Sequence, residues 1–178
     1  MLMLPLILGC NEGPYGAPMG AQVVVGSSGY IFDAAYSDPD DGVGLLMREQ
    51  VMVIDEAGVP MPSILVEITS GYSAAYLIPA GAVKTVDDFE AACESNASDE
   101  CKVWFDLESE TYVEFSGDYL DLGGFRPTYM AGGTNNRGIL DFYVFIDTIP
   151  MDSEGEVIPI PVFADIGVDF ETWTYDFE

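Results

Sequence analysis

Short segments in which apolar and polar residues alternate one by one recur along this chain, broken about every ten residues by Gly, Pro, Asn or Asp. A side-chain period of two puts successive residues on opposite faces of a strand, so each segment has one face to bury and one to wet. Segments of this kind fold by stacking two sheets, and the expected class is all-β, a sandwich. Strands are expected at 21–25, 45–54, 64–69, 74–78, 102–107, 111–115, 139–147, 158–164 and 168–177.

The clearest alternation sets Leu140, Phe142, Val144 and Ile146 against Asp141, Tyr143, Phe145 and Asp147, which predicts a central strand with the first set in the core. Ile64, Val66 and Ile68 repeat the scheme against Leu65 and Glu67, as do Val103, Phe105 and Leu107, and Val113 and Phe115. Pro159 and Pro161 cannot donate to a ladder, so 158–164 is expected at a sheet edge or ending in a bulge. In the last strand the apolar phase moves from Val168 and Phe170 to Trp173, Tyr175 and Phe177, which predicts a bulge or a change of sheet.

One short inserted helix is expected at 86–94, where Thr85 and Asp88 fit a capping arrangement and Val86, Phe89 and Cys93 share a face. Three cysteines resolve into Cys10 and a disulfide between Cys93 and Cys101; two reduced thiols on a loop are the alternative. Closing so short a loop contributes about 2.5 kcal/mol through loop entropy and persists only in an oxidising compartment.

Composition narrows the function. Hydrophobic residues make up 49% of the 178 and aromatics 12%, so the chain can bury a sizeable single core, and its acidity must lie on a folded body. Thirty-one acidic residues against five basic ones give a net charge of −26, which repels phosphate backbones and excludes nucleic acid as a partner. Without a histidine, Ser-His-Asp and Cys-His sites and most zinc sites are ruled out. Carboxylates are so plentiful that no pair is singled out for hydrolysis, and the chain is expected not to be an enzyme.

The first ten residues end in Ile7-Leu8-Gly9-Cys10, an apolar run too short to span a bilayer. This ending resembles the lipobox of bacterial lipoprotein signal peptides, which implies cleavage after residue 9 and lipidation of Cys10. Residues 11–20, with three Gly and two Pro, then read as a tether. An N-terminal strand buried in the core or in a neighbouring subunit is the competing reading. By the same resemblance Asn11 points to the outer membrane, with the periplasm or cell surface as the compartment.

Two stretches carry a second resemblance. Val51 to Val66 contains Asp55-x-x-Gly58-x-Pro60 between two strands, and Gly133 to Phe142 contains Thr134-x-x-x-Gly138 before another. Both are similar to the bacterial Ig-like domains of invasin-type adhesins, with Gly58 and Gly138 supplying the positive φ of a tight turn. The resemblance implies an Ig-like β-sandwich over 21–178 with an insertion at about 79–130, serving a structural or adhesive role.

Several residues stand out as candidate contacts. Asp38, Asp40 and Asp41, with Asp33 upstream, form an oxygen-rich loop of the kind calcium takes, and a solvated acidic turn is the plainer reading. Phe125, Arg126 and Tyr129 in a glycine-flanked loop suit a partner surface, or they cap the sandwich end. Two alternatives to the adhesive role stay open: a subunit of an extracellular filament or virion assembly, and a carbohydrate-binding module using Trp104 and Trp173 as exposed aromatics. Partners are thus a membrane through the lipid, a protein or glycan, or further copies of the chain.

Overall fold

The computed structural model describes residues 16–26, 30–32, 45–86, 103–106, 111–115, 128–146 and 149–177. Within them lie β1 (Gln22–Val25), β2 (Tyr30–Phe32), β3 (Leu45–Ile54), β4 (Leu65–Ser70), β5 (Ala75–Pro79) and β6 (Val83–Val86). The second half contributes β7 (Val103–Asp106), β8 (Thr111–Phe115), β9 (Tyr129–Gly133), β10 (Ile139–Ile146), β11 (Ile160–Asp165) and β12 (Phe170–Phe177). Among the described residues the helical element is a single 3-10 turn at Ala80–Ala82. The helix expected at 86–94 is therefore corrected at its start: Val86 ends β6, where its β-branched neighbours pair with β8. Residues 87–94 lie outside the described set.

Two sheets form. The first runs β5-β10-β3-β7-β8-β6, with β1 also pairing β3, and the second runs β2-β12-β11-β4-β9. Pairing is antiparallel except between β3 and β7 and between β2 and β12. In the lettering used for immunoglobulin sandwiches, β1-β3-β10-β5 take the A-B-E-D places and β12-β11-β4 the G-F-C places. β9 extends the second sheet beside β4, and β6 to β8 extend the first beyond β3.

The alternating residues meet between the sheets. Val51, Val53, Phe142, Val144 and Ile146 from the first sheet pack with Val66, Ile68, Ile160, Val162 and Tyr175 from the second, all fully or almost fully buried. Each such aliphatic or aromatic side chain contributes about 1.5–3 kcal/mol by leaving water. Phe142 and Trp173 face each other across the layers with ring centroids 6.4 Å apart. One polar chain crosses this core: Trp173 Nε1 donates to the Tyr175 hydroxyl at 3.0 Å, which donates to Glu49 Oε1 at 2.8 Å. Glu49 is 2% exposed, and a buried carboxyl needs such a donor.

The two turn stretches singled out above interlock at one end of the sandwich. Asp55 Oδ1 accepts the Ala57 and Val59 amides, and Asn135 Oδ1 accepts those of Arg137 and Ile139. Gly58 and Gly138 hold φ of 79° and 71°, the left-handed region their turns require. At Gly138 a Cβ would also lie 2.7 Å from the Met61 nitrogen and 2.9 Å from the Val53 oxygen. Thr134, buried, accepts the Ile64 amide and donates to the Met61 carbonyl, tying β4 to the entry of β10.

Two further expectations are corrected. β11 is not an edge strand: it pairs β12 on one side and β4 on the other. Pro159 precedes the strand, and Pro161 lies opposite Gly71 just past the last β4 pair, where its carbonyl accepts the Gly71 amide, so the donor it lacks falls at the end of that ladder. β12 keeps one continuous register with β11 instead of bulging. The apparent phase change arises because Val168 belongs to the preceding turn and Phe170 points outward.

The first sheet's path begins at β5 and ends at β6, and these two strands are joined by only three residues. The sheet must therefore curl back on itself. The curl encloses a second small core of Tyr76, Ile78 and Phe145, with Ala82 and Val83 packed against it.

Candidate functional site

The outward face of the second sheet is built from residues that alternate with its core positions. Core residues Val66 and Ile68 leave Leu65, Glu67 and Thr69 outside on β4; Val162 and Ala164 leave Phe163 and Asp165 outside on β11. On β12, inward Trp173 and Tyr175 leave Phe170, Thr172 and Thr174 outside, and β9 adds Tyr129 and Ala131.

Register sets these side chains in rows. Tyr129, Thr69, Phe163 and Thr172 lie across the sheet in one row, and Ala131, Glu67, Asp165 and Phe170 in the next. Three aromatics are thus presented to solvent: Phe170 is 69% exposed, Tyr129 50% and Phe163 40%. Neighbouring strands are about 4.8 Å apart and rows about 7 Å, so the block spans roughly 15 Å by 7 Å.

Two carboxylates stand among these rings. Glu67 and Asp165 are directly opposite on β4 and β11, where like charges oppose pairing. Each is steadied locally: the Tyr129 hydroxyl donates to Glu67 Oε1 at 2.7 Å, and Asp165 Oδ1 accepts the Gly167 amide at 2.5 Å. The two described arginines lie elsewhere, Arg48 on β3 paired with Asp141 at 3.2 Å and Arg137 in the turn before β10. An open pleated surface of exposed rings, hydroxyls and acids is suited to contact with a partner.

Of the residues singled out in the sequence, Tyr129 falls on this face. Cys10, Asp33, Asp38, Asp40, Asp41, Cys93, Cys101, Phe125 and Arg126 lie outside the described residues. Trp104 is on β7, in the other sheet. The expectation of Trp173 as an exposed platform residue is corrected: it is 5% exposed, held in the core by its hydrogen bond to Tyr175. Phe163 and Phe170 were missed. Their signal was present, since each is an aromatic out of phase with the buried residues of its own strand.

Elsewhere the sandwich end carries a shallow open depression of about 310 Å³ between Pro18–Ala21 and Asp55–Ala57. The Asp55 carboxylate there is already engaged in closing its own turn. Among the described residues no helix is long and apolar enough to cross a membrane. No family model matches the chain, and no curated protein matches it.

Proposed function

We propose that the chain is a non-enzymatic Ig-like module of the bacterial cell envelope or surface, held to a membrane by a lipid on Cys10 and serving a structural or adhesive role. The observation that carries this reading is the outer face of the second sheet, where Phe163 and Phe170 are exposed while Tyr76, Ile78 and Phe145 on the outer face of the first sheet are buried. Exposed aromatic rings grouped with polar residues on one sheet face are the composition of an interaction surface. The A-B-E-D and G-F-C strand order supports it as well, since the resemblance of the Asp55–Pro60 and Thr134–Gly138 turns implies that arrangement.

The anchor rests on the sequence of residues 7–10 and on Gly13 and Pro14 after it; the expected tether at 11–20 is shortened at its end, where Ala17 is buried in the core. Pairing of Cys93 with Cys101 belongs to the same reading, because an exported chain meets an oxidising compartment. Expression of the full-length chain in a bacterial host, followed by membrane fractionation and intact mass, tests the anchor. The expected result is a membrane-bound chain that has lost Met1 and gained acyl mass on Cys10. An intact Met1 with unmodified Cys10 overturns it.

A further inference from the structure

The rows on the second sheet place Asp165 in an unusual setting. It is directly opposite Phe170 on β12 and directly opposite Glu67 on β4, and Phe163 is its same-face neighbour two residues back on β11. Across such pairs Cβ atoms are about 5 Å apart, and diagonal neighbours are about 7–8 Å apart. A group resting above Asp165 therefore meets its carboxylate and the flanks of two phenyl rings, with Glu67 adding negative charge from the next strand. Carboxylates attract a cation, and aromatic faces add to that attraction.

We propose that this face docks a basic segment of a protein partner, with an Arg or Lys side chain seated over Asp165 between Phe163 and Phe170. The assignment rests on the reading of the chain as a displayed contact module. Charge selects the occupant: the sheet's described outward acids are Glu67, Asp165 and Asp176, its described strands hold no Lys or Arg, and the whole chain carries −26. A second copy of the chain would bring the same charge and be repelled. A guanidinium is the best fit, because it can hydrogen-bond the Asp165 carboxylate through its fork while its plane lies against a ring.

Isothermal titration of the full-length chain with an octa-arginine peptide at about 0.15 M salt tests the proposal. Phe170→Leu, which keeps an apolar side chain and removes the ring, and Asp165→Asn are each expected to weaken binding about three- to ten-fold. Glu154→Gln changes the same charge on the distant Asp152–Glu156 turn and should shift affinity less than about two-fold. Equal losses for Asp165→Asn and Glu154→Gln, with none for Phe170→Leu, would reduce the effect to diffuse attraction and overturn it. So would a neutral oligosaccharide such as cellohexaose or chitohexaose binding in the peptide's place with the same Phe170 dependence.

Phe163→Leu provides an independent variant, and thermal melts confirm that each protein is folded. The outcomes separate from those of the anchor. A chain that binds the peptide but stays out of the membrane removes only the lipid, and an anchored chain indifferent to Phe170→Leu removes only the docking face.

Discussion

On the outside of the first sheet, Tyr76, Ile78 and Phe145 are at most 2% exposed, because the chain leaving β5 turns through Ala80–Ala82 and packs Ala82 and Val83 over them. On the outside of the second sheet, Phe163 and Phe170 take equally outward positions in the pleat and remain in water. The two groups take the same place in the pleat, and among the described residues they differ in whether the chain packs back over them. Transfer of a phenyl ring from water is favourable by roughly 2–3 kcal/mol, so a bare pair of rings forgoes stability that the first sheet collects. The contrast teaches that the exposed rings are not a limit of the architecture, which covers such rings a few strands away.

Four substitutions probe that contrast. Phe145→Ala should destabilise by about 3–5 kcal/mol in denaturant unfolding, as a ring removed from a packed site leaves a cavity. If Phe145→Ala proves no more harmful than a surface change, the covered face is not a second core. Ala82→Asp should cost about 1–3 kcal/mol by setting a charge against the cluster, read as a lowered melting temperature. Asp165→Asn should stabilise by about 0.2–0.5 kcal/mol at low salt by relieving the opposed Glu67, an effect that fades as salt rises while the Gly167 contact is kept. Phe170→Ser should change stability by less than about 0.5 kcal/mol, and a larger loss would mean that the bare face is buried after all.

Much of the fold was legible because burial on one side of a strand enforces strict alternation. The core set Leu140, Phe142, Val144 and Ile146 and the strands at 45–54 and 111–115 follow from that rule alone. The turn glycines Gly58 and Gly138 were legible for a second reason, the positive φ that their turns demand.

What escaped was decided by partners distant in sequence. β9 carries Gly132 and Gly133 and has turn-like composition, yet β4 pairs with all five of its residues. β6 looked like a helix start because Thr85 and Asp88 mimic a cap, and pairing with β8 overrode that local signal. Pro161 suggested an edge because sequence does not show where the neighbouring strand stops. Of the contact face, Tyr129 was visible through its place near Arg126, whereas Phe163 and Phe170 show only as aromatics out of phase with the buried residues of their strands, a signal read as core in the sequence.

The split between β1 and β2 has a mechanical consequence. β1 runs antiparallel to β3, and β2 runs alongside β12 in the same direction, with Tyr30, Ile31 and Phe32 matched to Tyr175, Asp176 and Phe177. The chain therefore enters at one end of the sandwich and leaves at the other. Tension applied between the two ends would load those backbone bonds lengthwise and together, as a lap joint is loaded, and rupture would require them to slip as a set instead of opening one after another.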